Sequence, residues 1–142
     1  MTDDITRRSV LFSDSAGKPV IAKFDQDHAS SDGGAILLQG CDRRVEVTEA
    51  LIGGIRDQRQ SGKIRHAIGD LLRQRLYAIA CGYPDGDDVG RLESDPIQKM
   101  LCGRDPLKGE DLASQPTLSR FENSVDRADL YRMGGRTRRH GD

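Results

Sequence analysis

Tryptophan is absent, aromatics make up only 4% of the 142 residues, and the hydrophobic types together reach 35%. A chain this lean can build one modest core. It suits an elongated helical layout or a core completed by further protein. No run of about 18 apolar residues occurs, which excludes a membrane-spanning helix. The opening Met1-Thr2-Asp3-Asp4 lacks an apolar stretch, so no secretory signal is expected and a cytoplasmic location follows. Cys41, Cys81 and Cys102 are odd in number and too widely spaced for a C-x-x-C site, so all three are expected to be reduced and structural.

Complete enzyme signatures are missing too. Ser9, Ser30 and Ser31 have no Gly-x-Ser-x-Gly frame, and Gly33-Gly34 extends into neither a dinucleotide nor a P-loop fingerprint. Asp25, Asp27 and His28 read as a loop hydrogen-bond network rather than a catalytic set. Asp85, Asp87 and Asp88 lack the spacing of a calcium loop, and capping of the next helix is their expected role.

What is present is a charge alternation hidden beneath a net charge of −1. Residues 1–50 carry 6 Lys/Arg against 9 Asp/Glu, and residues 51–82 carry 6 against 2. The next stretch, 83–115, carries 4 against 8, and 116–142 carries 6 against 4. Such basic patches beside acidic ones are compatible with a polyanion-binding face as well as with an ordinary solvated surface.

The pattern predicts a mainly α fold with a small N-terminal β-hairpin. Ser9–Phe12 and Pro19–Phe24 flank a turn-rich connector, and Val20, Ala22 and Phe24 alternate as in a half-buried strand. Ala35–Leu38 is expected to be a short helix, with a strand as the alternative, and Leu51, Ile52 and Ile55 keep helical spacing despite Gly53-Gly54. The strongest helix is expected over Ile64–Cys81. Ile64, Ile68, Leu71, Leu72, Leu76, Ile79 and Ala80 form its apolar stripe, and Gly82 and Pro84 stop it. Asp95-Pro96 marks an N-cap followed by an N1 proline, with Gly103 as that helix's stop. Ser114-Gln115-Pro116 opens another helix bearing Leu118, Phe121 and Val125, and Ser124–Asp126 caps a last one bearing Leu130, Tyr131 and Met133. Thr117, Ser119, Arg120 and Asn123 then face outward, as a polar helix surface or as a DNA-contacting one.

Phe24–Leu38, Arg65-His66, Leu71–Arg75, Ala80–Tyr83, Asp95-Pro96 and Leu112–Asn123 occur in an order that resembles the N-terminal region of group-1 DDE insertion-sequence transposases, over roughly residues 19 to 134. The resemblance implies a cut-and-paste recombinase of bacterial mobile elements. Such an enzyme binds the element's terminal inverted repeats and cuts DNA with a ribonuclease-H-like core holding two divalent metals (Mg). Two metals would stabilise the attacking and leaving oxygens of an in-line displacement. No residue here matches the Asp-Asp-Glu triad, so no catalytic and no metal-binding residue is carried over, and the catalytic core is expected to be absent. Arg65, Arg73, Arg75, Arg120 and Asn123 are the expected DNA contacts, the arginines chiefly to phosphate. Three regions are expected: a hairpin and loop at 1–34, a helical DNA-binding and assembly region at 35–134, and an aberrant tail at 135–142. In that tail Gly and Arg replace the family's apolar periodicity, as in a truncated or out-of-frame copy. The expected product is a catalytically inert, nucleoid-associated DNA-binding fragment; the alternative is a module that joins full-length transposase, or itself, and inhibits it.

Overall fold

The computed structural model describes residues 10–12, 20–21 and 30–140. Two short extended segments, β1 (Val10–Phe12) and β2 (Val20–Ile21), precede seven helices among the described residues. These are α1 (Ala35–Val45), α2 (Val47–Ile52), α3 (Ile68–Ala80), α4 (Val89–Leu92), α5 (Pro96–Leu101), α6 (Gln115–Ser124) and α7 (Arg127–His140). Single 3-10 turns at Ser61–Lys63 and Gly86–Asp88 interrupt the connectors.

The mainly α class fits, but the N-terminal hairpin needs correction. Strands over 9–12 and 19–24 do not stand as a structural component. Among the described residues, extended pairing is confined to Val10 opposite Ile21 and Phe12 opposite Val20, with a register shift between the two pairs. A two-stranded ladder so short, without a third strand, is marginal by itself, and alternation alone cannot make it a sheet. The Asp25–His28 string lies outside the described residues.

Helix α3 is the axis on which the others pack, meeting α1, α2, α5 and α6. Its Leu71 and Leu72 join Val89, Ala113, Leu118 and Phe121 in the main core, with Ile52, Ile68, Val125 and Met133 packed around them. A second cluster unites Tyr77 of α3 with Ala35 and Leu101. The helix begins four residues later than its apolar stripe suggests, because Ile64 and Ala67 are extended. It ends as expected, with Gly82 in the left-handed region at φ 93°. The buried face is also rotated from the expected stripe. Ile79 is 46% exposed, whereas Gln74 is 3% exposed.

Buried glutamines are the principal polar fasteners. The Gln74 amide donates to the Ala113 carbonyl at 2.8 Å and accepts from the Ala113 N–H at 3.0 Å, tying α3 to the segment before α6. Gln39 of α1 donates to the carbonyl of Leu101 at 3.1 Å. Gln98 donates to Asp32 at 3.0 Å. Each amide finds a backbone or carboxylate partner, which is how a polar side chain becomes acceptable in a core.

The Asp95 cap is as expected, its carboxylate accepting from the N–H groups of Ile97 (2.9 Å) and Gln98 (3.0 Å) and from the Ser30 hydroxyl at 3.0 Å. The acidic cluster behaves otherwise. Neither Asp85 nor Asp88 makes a side-chain cap. Asp88 is itself in helical conformation (φ −70°, ψ −22°), so its carboxylate lacks the extended geometry that an N-cap requires.

Helix α7 crosses α2 and its exit at very close range. A Cβ on Gly54 would lie 2.8 Å from the Met133 backbone nitrogen, so only glycine permits this approach. The crossing is locked by Asp129, which exchanges backbone-to-carboxylate hydrogen bonds with Asp126 (2.8 and 3.1 Å) and accepts from the Arg56 N–H at 3.2 Å. Arg132 pairs with the same carboxylate and donates to the Gly54 carbonyl at 3.0 Å. These donors, led by the Asp126 contact, hold the Asp129 carboxyl below its ordinary pKa. Residues 135–140, where helical periodicity was expected to fail, continue α7.

Candidate nucleic-acid interface

The segment 56–66 runs beside α6, and two adjoining concavities open between them. One, of about 360 Å³, has Ile68, Leu71 and Phe121 as its apolar floor and Arg56, Arg59, Thr117 and Arg120 at its rim. The other, of about 380 Å³, is lined by Arg59, Lys63, Arg65, His66 and Arg120, with Glu93 and Asp111 opposite. Arg59, Thr117 and Arg120 border both, making one continuous basic groove. The core dictates this layout: Leu118 and Phe121 face inward, which turns Thr117 and Arg120 toward the neighbouring connector.

Charge within the groove is unevenly committed. Arg59 is paired with Asp57 at 2.8 Å and also donates to the His66 carbonyl at 2.9 Å, bracing the connector. Its guanidinium holds the Asp57 carboxyl below the usual range. Lys99 neutralises Asp111 at 3.0 Å. Lys63, Arg65 and Arg120 make no ion pair among the described residues, so their charge faces the groove.

His66 forms part of the groove wall and is 7% exposed. Its Nδ1 lies 3.0 Å from Nη2 of Arg104, and because a guanidinium only donates, Nδ1 must accept and the ring is neutral. Desolvation, then the nearby charges of Arg104 and Arg65, depress its pKa, against smaller opposing effects of Asp70 and Glu110.

The five expected DNA contacts therefore separate. Arg65 and Arg120 meet in the groove, and Asn123 is exposed one turn along α6 from Arg120. Arg73 is engaged with Glu49 of α2 and with Asp70 at 3.7 Å. Arg75 is paired with Glu122 of α6 and donates to the Pro84 carbonyl at 2.6 Å. Sequence reasoning missed Arg59, Lys63 and His66. For Arg59 and Lys63 the signal was the basic excess of residues 51–82, and for His66 its place in the Arg65-His66 block.

All three cysteines are free, and Cys41 is exposed rather than structural. Burial pushes the Cys102 thiol up to about 12, which keeps it unreactive. Among the described residues no three His, Cys, Asp or Glu side chains converge as a metal site. No helix among the described residues is long and apolar enough to cross a membrane.

A helical body with a basic groove is a scaffold suited to a polyanion. The sequence model of the family described as transposase DDE domain group 1 matches residues 12–140, and the chain belongs to that family. Its role is therefore transposase-related and its implied partner is DNA. No curated protein and no solved structure matches the chain.

Proposed function

We propose that this chain serves DNA transposition by binding the ends of its mobile element, without carrying out strand cleavage itself. One observation carries the reading: Lys63, Arg65 and Arg120, without an ion pair among the described residues, converge on the groove between α6 and the 56–66 connector. Arginine suits this task because its planar fork meets two phosphate oxygens at once and stays charged at any physiological pH. Arg65 and Arg120 would hold phosphates. Asn123, one turn beyond, would meet a phosphate or an adenine edge. Arg73 and Arg75, committed to carboxylates, act as braces.

The test is a duplex titration at several salt concentrations, using the element's terminal inverted repeat and an unrelated sequence. Log affinity should fall with log salt by ~0.9 for each phosphate held, and the repeat should bind more tightly. An absence of salt-dependent binding to either duplex would sink the proposal.

A second reading, association with full-length transposase or another copy, is favoured by the exposed apolar stripe on α1. Leu37 is 58% exposed, Leu38 42% and Val45 55%. Co-purification with intact transposase that is lost in Leu37→Ser/Val45→Ser, with no DNA affinity in the isolated chain, would favour it over the first.

A further inference from the structure

The outward side of α7 carries a charge pattern that the groove does not use. Residues 127–140 include five arginines and one acid, and that acid, Asp129, is buried, paired with Arg132 and turned toward the Arg56 N–H. At about 3.6 residues per turn, Arg127, Tyr131, Gly134 and Arg138 fall on one side of the helix. Arg127 and Arg138 are exposed and make no ion pair among the described residues, and Tyr131 is 83% exposed. A Cβ at Gly134 or Gly135 would meet nothing within 4 Å, so no internal contact calls for a glycine there, in contrast to Gly54.

We propose that this face of α7 is a second DNA-binding surface, which lies across the major groove of a duplex. The proposal rests on the reading that the chain binds DNA and adds a surface distinct from the α6 groove. Arg127 and Arg138 are separated by ~16 Å along the axis at ~1.5 Å per residue, enough to bridge a major groove ~12 Å wide and reach a phosphate on each wall. Tyr131, between them, faces the groove floor, where its hydroxyl can bond a base edge or a backbone oxygen. A basic face whose acid points inward complements a continuous line of phosphates better than it complements a protein surface of mixed charge.

The experiment uses the full chain and a fluorescently labelled duplex, with binding followed by anisotropy against salt. Arg127→Gln/Arg138→Gln should lower the salt slope by ~1.8, two phosphates' worth, and weaken binding about thirtyfold at 0.15 M salt. Circular dichroism should show the helical content retained. Because the chain has no tryptophan, Tyr131→Trp installs a unique reporter, whose emission should change on adding duplex and recover at high salt. If Arg65→Gln/Arg120→Gln reduces the slope while the α7 pair leaves it unchanged, the groove reading stands and the α7 surface is refuted. A reporter at position 131 that stays silent during groove-dependent binding refutes it as well. Equal affinity for polyglutamate would refute DNA as the partner of this face, and absence of any salt-dependent duplex binding by the unsubstituted chain would remove both readings.

Discussion

Helix α3 carries two arginines and α7 five, yet they do opposite things with them. On α3, Arg73 and Arg75 turn to Glu49, Asp70 and Glu122 and so stitch α2 and α6 to the central helix. On α7, Arg132 is bound to Asp129, whereas Arg127, Arg138 and Arg139 project from the surface without an ion-pair partner among the described residues. The glycines divide in the same manner: Gly54 is required by a crossing backbone, and Gly134 and Gly135 by nothing among the described residues. Residue type does not distinguish a brace from a binding group. The presence or absence of an internal partner does.

The contrast can be tested from its strongest point downward. Leu71→Ala, which empties the centre of the α3 core, should cost about 2–5 kcal/mol in urea unfolding. Single neutralisations on the outer face of α7 should stay within about 0.5 kcal/mol. Comparable losses at both would erase the distinction between them. Gly54→Ala should cost about 1–3 kcal/mol, because the new Cβ must displace the Met133 backbone. Gly134→Ala should instead stabilise by up to about 1 kcal/mol, since open space and a better helix former act together. A reversed order for these two glycines would contradict the close crossing.

Next come the arginine pairs. Arg65→Gln/Arg120→Gln should lower the salt slope of DNA binding by ~1.8 and leave the melting temperature nearly unchanged. Arg73→Gln/Arg75→Gln should do the reverse, lowering stability by up to about 1 kcal/mol per ion pair with the slope intact. Equal effects of the two pairs on the slope would mean that the α3 arginines let go of their carboxylates to meet DNA.

The smallest effects concern pH. The folded His66 ring resists protonation, so the unfolded chain binds more protons once the pH drops below about 6.5. Stability should therefore fall as the pH goes down through that value, and His66→Gln should flatten this limb of the profile. Asp129 has the opposite charge but the same direction. Its depressed pKa contributes stability above the ordinary carboxylate value of about 3.9, and that contribution is lost as the pH falls through the folded value. Chemical denaturation at stepped pH should resolve both limbs, and a flat profile between pH 7 and 5 would rule out the neutral buried imidazole.

Much of the helical frame was legible because its signals are local. The Gly82 stop and the Asp95-Pro96 start are written in single residues whose backbone preferences act within one turn. The inward placement of Leu118 and Phe121 follows from periodicity. The groove was less legible. Arg65 and Arg120 were named, but nothing in their spacing shows that they meet, or that Arg73 and Arg75 have carboxylates waiting on other helices. Gln74 was passed over because glutamine reads as surface until a buried backbone needs both halves of its amide. The hairpin failed for the converse reason: alternation describes a strand, while a sheet needs neighbours.

By itself, then, the sequence determined the helical class, several element boundaries and, through its resemblance to a known family, a place among DDE transposases. Capping, periodicity and motif order operate over a few residues or along the chain, where no folding is needed to see them. Only the tertiary structure decided which arginines are spent on the protein and which remain for a partner. That depends on contacts between residues dozens of positions apart, such as Arg75 with Glu122 or Gly54 with Met133, and such contacts exist only once the helices have packed.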